Sequence, residues 1–127
     1  MSALELTFPR PGRAVTSNGR FHWAEKRRLL QPWILATRAA WIKAGRPTNV
    51  GPSIVELRFG VMDQRRRDPS NLMPTQKAIV DELVRCGLWP DDNPEWVEER
   101  MPRLCLGDFV VVRITPRSEG ESSARFP

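Results

Sequence analysis

Apolar and polar residues alternate over residues 3–8 (ALELTF), which predicts a strand ending in a turn marked by Pro9 and Pro11. Residues 12–20 (GRAVTSNGR) carry no period and read as a basic loop. From Trp23 the spacing becomes helical through AEKRRLLQPWILATRAAWIKAG. Trp33, Thr37 and Trp41 recur every four residues, as do Ile34, Arg38 and Ile42, so the later half of this helix is amphipathic. Pro32 is expected to kink it or to sit in the first turn of its second part. Gly45 followed by Pro47 ends it.

Period two returns at residues 54–61 (IVELRFGV), with Ile54, Glu56 and Arg58 on one face and Val55, Leu57 and Phe59 on the other. Pro74 and Thr75 open a second helix running to about Cys86, stopped by Gly87. Its expected buried stripe is Ile79, Leu83 and Cys86, helped by Ala78 and Val80. Residues 96–101 (WVEERM) read as a short strand, and 109–114 (FVVVRI) as the strongest strand of the chain, being β-branched through its centre. Residues 117–127 are small and polar and are expected to form a disordered tail. The order strand, helix, strand, helix, strand, strand predicts an α/β (α+β) fold. It is expected to be one domain over residues 1–116, a small mixed sheet of about four strands with two main helices packed on it.

Composition narrows the partners. The 127 residues suit a single core. A formal charge of +5 favours an anionic partner. That charge is segregated: residues 1–67 hold thirteen Lys and Arg against four acids, whereas residues 68–127 hold seven against eleven. Such a division fits a protein that grips phosphates with one surface and holds cations with another. Cys86 and Cys105 lack metal-ligand spacing and read as reduced core residues, and the single histidine, His22, argues against a histidine-based zinc site. With no signal-like apolar run and nothing near the roughly 20 apolar residues of a membrane span, a soluble cytoplasmic protein is expected, with no membrane partner.

The candidate chemistry lies in residues 63–92, DQRRRDPSNLMPTQKAIVDELVRCGLWPDD. Arg65, Arg66 and Arg67 suit a phosphate backbone. Clustered carboxylates repel one unless a divalent cation lies between them. Asp63 and Asp68 flank the arginines, and Asp91 and Asp92 follow the second helix, where a short turn can return the chain towards its start. Lys77 and Asp81 share a helical face, which by itself describes a surface ion pair. Lys26, Arg27 and Arg28 form a second basic cluster beside His22 and Trp23. His22 is read as a phosphate contact or a helix cap. For Trp23, packing against the fold is the commoner role and stacking on an unpaired base the alternative.

The ordered set RRRDPSN, KAIVDEL and CGLWPDD resembles the RusA family of Holliday-junction resolvases and its phage-borne relatives. The resemblance spans residues 3–116, with the specific motifs in 63–92. It implies a homodimeric, Mg²⁺-dependent endonuclease, with Mn²⁺ as a substitute, that resolves four-way or branched DNA by paired nicks in recombination and repair. By position it implies Asp68, Lys77 and Asp92 as catalytic residues. Asp68 and Asp92 would be metal ligands, with Asp63, Asp81 or Asp91 as further candidates. Arg65, Arg66, Arg67, Asn71, Lys26, Arg27 and Arg28 would contact DNA. Two departures stand out. Ser70 occupies the place of the family's second motif acid, and three extra residues lie within LMPTQ, between Asn71 and Lys77. A catalytically weakened DNA-binding or regulatory module is therefore the alternative expectation. A small adaptor built on exposed tryptophans would leave the acids unexplained.

Overall fold

The computed structural model describes residues 3–17, 19–62 and 67–117. Asp63, Arg65, Arg66 and the expected tail beyond Arg117 lie outside the described residues. Alternating apolar residues build β1 (Leu4–Pro9), β2 (Ser53–Val61) and β5 (Phe109–Pro116). These three strands form the antiparallel centre of the sheet, with Leu6 opposite Val112 and Leu57 opposite the same Val112 on the other side. Two short strands, β3 (Val97–Glu99) and β4 (Arg103–Leu106), follow one another along the free edge of β2, both parallel to it. The sheet is thus five-stranded and mixed, in the order β1-β5-β2-β3, with β4 extending the β3 edge.

β4 corrects the expected single strand at 96–101. The edge breaks at Arg100–Pro102 because Pro102 has no N–H for the ladder, while Arg100 still donates its N–H to the Val55 carbonyl. RLCL, with only four residues and no turn dipeptide before it, has too little pattern to announce itself. A second correction concerns residue 117. Arg117 belongs to the fold, donating its backbone N–H to Pro52 and its guanidinium to the carbonyls of Pro94 and Glu95.

Helices α1 (Trp23–Lys43) and α2 (Met73–Arg85) cover one face of the sheet. Trp33 from α1 and Ile79 and Leu83 from α2 meet Leu6, Val55, Leu57, Phe59, Val110, Val112 and Ile114 in a single core. Each such side chain contributes about 1.5–3 kcal/mol on burial. In α1 the buried stripe is Trp33, Thr37 and Ala40, with Trp41 half-buried beside it and Ile42 turned outward. α1 also runs unbroken through Pro32, so no second helix starts there. The N–H that Pro32 lacks would have bonded the Arg28 carbonyl, and both residues are exposed, so water can serve that carbonyl.

In α2, Ile79, Leu83, Ala78 and Val80 are buried as expected, Cys86 is only half-buried, and Thr75, Gln76 and Glu82 are buried too. Glu82 is tolerated inside because Arg38 of α1 donates to it at 2.6 Å, joining the two helices. Gln76 reaches across to the Arg100 carbonyl at 3.0 Å and to Glu99 at 3.2 Å, tying α2 to the β3 edge. Both cysteines are free thiols. Burial raises the Cys86 thiol above its ordinary value, helped by the Glu82 charge.

The turn between β4 and β5 passes close to β2 at Gly60. A Cβ there would lie 2.5 Å from the Gly107 carbonyl oxygen and 2.7 Å from that of Phe109. These are backbone atoms, so they yield only if the sheet shifts. Gly60→Ala is therefore expected to cost about 1–3 kcal/mol. A urea titration followed by circular dichroism checks this; an unchanged midpoint would contradict the close approach.

Candidate functional site

Asp68 opens the segment. Its Oδ1 accepts the Ser70 N–H at 3.0 Å and the Ser70 O–H at 2.8 Å, capping the short 3₁₀ turn Pro69–Leu72 that leads straight into α2. The Ser70 hydroxyl, then its N–H, hold the Asp68 carboxyl below the usual carboxylate range. Ser70 therefore acts as a donor to Asp68, at the position where a second acid was expected. The turn at residues 88–92 is fixed independently. Trp89 is buried and donates its indole N–H to the Gly51 carbonyl at 3.0 Å and to Ser53 Oγ at 3.2 Å. Val50 N–H bonds the Leu88 carbonyl, so the segment after α2 is anchored on the loop that precedes β2.

The second of these anchors places the turn after α2 beside Lys77. Its ammonium bonds Asp81 Oδ1 at 3.2 Å and Asp92 Oδ2 in a still closer contact. Asp92 raises the Lys77 ammonium above the usual lysine range, and Lys77 in turn lowers the Asp92 carboxyl. The first contact is an i,i+4 pair. The second joins residues fifteen apart across the end of α2. Asp91 organises the turn itself, its carboxylate accepting the Asp92 N–H at 2.7 Å and the Asn93 amide at 3.3 Å.

Of the acids read from the sequence, the structure joins Asp81 and Asp92 through Lys77. Asp68 bonds Ser70 instead, and Asp63 is outside the described residues. Among the described residues, no three His, Cys, Asp or Glu side chains form a group that could hold a metal ion. Taken singly, the carboxylates are oxygen donors of the kind a hard divalent cation takes. Asp68 and Asp92 are oxygen donors held ionised, and Mg²⁺ needs only one or two carboxylates from the protein.

The basic residues occupy two places. Lys26, Arg27 and Arg28 are exposed on the first turns of α1. His22 caps that helix, its Nδ1 accepting the Ala24 N–H at 3.4 Å. Trp23 is 65% exposed, so it does not pack into the fold, and the Arg27 guanidinium lies 5.8 Å from its ring centre. Arg67 lies instead beside a cavity at the end of β2, together with Arg10 and Arg13. Neither Arg10 nor Arg13 was singled out from the sequence; the only signal was the basic character of the loop after β1. That loop is tied to the start of α2. Thr75 Oγ1 accepts the Val15 N–H at 2.9 Å and donates to the Val15 carbonyl at 2.8 Å. Ser17 N–H bonds the Asn71 carbonyl, and its hydroxyl bonds Asn71 Oδ1 at 3.1 Å, so Asn71 holds the loop in place.

No protein-family model matches the chain, and no curated protein matches it either. The described helices include none long and apolar enough to cross a membrane.

Proposed function

We propose that the protein is a Mg²⁺-dependent, structure-selective DNA endonuclease that resolves Holliday junctions and other branched DNA by paired phosphodiester hydrolysis. It would act as a homodimer in recombination and repair, in the cytoplasm of a bacterium or a phage-infected cell. The observation carrying this reading is the Lys77 bridge to Asp92. A lysine and an acid fifteen residues apart are held together at the surface.

Asp68 and Asp92 would hold the cation, with Asp63, Asp81 or Asp91 as further ligands. Mg²⁺, or Mn²⁺ in its place, supplies activation of the attacking water and neutralisation of phosphate charge. The attacking water would lose a proton to solvent as its oxygen bonds phosphorus, the bridging P–O bond would break, and the departing oxyanion would take up a proton from solvent. The Lys77 ammonium sits beside Asp92 to position the scissile phosphate or to stabilise that oxyanion. Arg65, Arg66 and Arg67, with Lys26, Arg27 and Arg28, would contact backbone phosphates. Exposed Trp23 offers a face on which an unpaired base can stack. Two sites on a dimer account for paired cuts in a symmetric junction.

The hydrogen bond from Ser70 to Asp68 favours a second reading, in which the chain keeps the DNA-binding surface and has lost catalytic power. Incubation with a synthetic four-way junction and Mg²⁺ decides between them. Paired nicks in opposing arms are the expected result. Tight, salt-sensitive binding without cutting would overturn the endonuclease, and Mg²⁺-dependent cutting gained by Ser70→Asp would then establish the weakened module.

A further inference from the structure

The cavity at the end of β2 has a volume of about 300 Å³, at the lower end of the range for small-ligand sites. Phe59, Leu72 and Leu104 form an apolar floor, and Arg10, Arg13 and Arg67 stand around it. Arg10 is fixed by a 3.0 Å hydrogen bond from Nη1 to the Gly60 carbonyl, with its guanidinium 6.0 Å from the Trp33 ring centre. Arg13 is fixed through its own carbonyl, which accepts the Trp33 indole N–H at 3.0 Å, and its guanidinium lies 5.1 Å from the Phe21 ring centre. Trp33 is fully buried, so the core itself sets where these two arginines begin.

Among the described residues no carboxylate lines the cavity, and neither Arg10 nor Arg13 is paired with one. The Arg10 and Arg13 guanidinium groups at the mouth of an apolar concavity favour an anion, which they can bind in bidentate fashion. The floor favours an apolar body attached to it. A bare phosphate satisfies only the rim and a hydrocarbon only the floor. A nucleoside phosphate satisfies both.

We propose that this cavity takes one unpaired nucleotide of a DNA strand, with its base on the Phe59–Leu72–Leu104 floor and its phosphate on Arg10 and Arg13. The choice of DNA as the source rests on the endonuclease reading; the chemistry recognised, a nucleoside 5′-phosphate, does not. Leu72 belongs to the same 3₁₀ turn that Asp68 caps, so a nucleotide held there lies near Asp68. Nucleotides at a branch point are already partly unstacked, which lowers the cost of taking one out.

Two binding experiments on the full chain test this. Deoxythymidine 5′-monophosphate is expected to bind about tenfold more tightly than either thymidine or inorganic phosphate, because only it engages both rim and floor. Arg13→Ala should lose that gain, and Ala14→Phe, which fills the cavity from its wall, should abolish binding; both variants should melt as the parent does. In the second experiment a four-way junction carries 2-aminopurine at the branch point. Its fluorescence should change on binding to the parent and stay unchanged with either variant. Equal affinity for phosphate and mononucleotide would overturn the base-binding floor. Mononucleotide binding without any junction binding would overturn DNA as the source, together with the endonuclease reading. Junction cleavage at the parental rate by both variants, with an unaltered 2-aminopurine signal, would overturn the cavity's role and leave the endonuclease standing.

Discussion

Lys77→Met is expected to lower the single-turnover rate of junction cleavage by about 10²–10³-fold, the usual loss when one group stabilising the transition state is removed. Junction affinity should change little if, as proposed, the long-range phosphate contacts come from the arginine clusters. The fold should persist as well. Lys77, Asp81 and Asp92 are all partly exposed, and exposed ion pairs contribute little to stability. Asp92→Asn should be as damaging. The double variant should be no slower than the worse single one, since both changes dismantle the same unit. The pH dependence follows from the two shifts. Lys77 is raised and Asp92 lowered, so the bridge persists between those values. It is lost as pH falls through the depressed Asp92 value, and again as pH rises through the elevated Lys77 value. The alkaline limb of the rate profile should therefore lie above the ordinary lysine range and disappear in Lys77→Met. Equal cleavage by parent and variant would remove Lys77 from the chemistry.

Trp33→Ala is expected to be the most destabilising single change in the core, at about 3–5 kcal/mol, against a total of about 5–15 kcal/mol for a typical domain. Trp33 is fully buried, meets the Phe59 ring at 5.9 Å between centroids, and bonds the Arg13 carbonyl. Its loss opens a cavity, orphans that carbonyl and releases the loop that carries Arg10 and Arg13. Trp33→Phe separates these effects. It keeps most of the packing and loses the N–H, so it should cost less and still weaken mononucleotide binding. Denaturant titrations of both variants, alongside that binding assay, provide the check. Unaltered binding in Trp33→Phe would show that the indole N–H does not position Arg13.

The three long strands and two helices were legible because each buries one face, and burial of one face imposes a period of two or of 3.6 on apolar residues. What escaped was polar or short. Thr75, Gln76 and Glu82 carry no apolar signal, and each is buried because a partner reaches it from far along the chain: Val15, Arg100 and Arg38. β4 needs only four residues because β2 supplies the template. That α1 continues through Pro32 depends on whether water reaches the Arg28 carbonyl, which is a tertiary fact. The candidate site divides in the same way. Lys77 and Asp81 follow from helical spacing, and Asp92 from the order of motifs. Arg10 and Arg13 are placed at the end of β2 through Trp33, Thr75 and Asn71, contacts spanning twenty to sixty residues that no local pattern encodes. Ser70 was legible as a departure, whereas its bond to Asp68 was not.

The central claim is that Asp68 and Asp92 serve one cation beside Lys77. Crystals soaked in Mn²⁺ test it most directly, through the anomalous signal of the metal. The account predicts a peak within about 2.1 Å of carboxylate oxygens from both residues, close to the Mg²⁺ distance. Peaks absent from Asp68 and Asp92 at saturating Mn²⁺, with Lys77 still bridging Asp81 and Asp92, would contradict it.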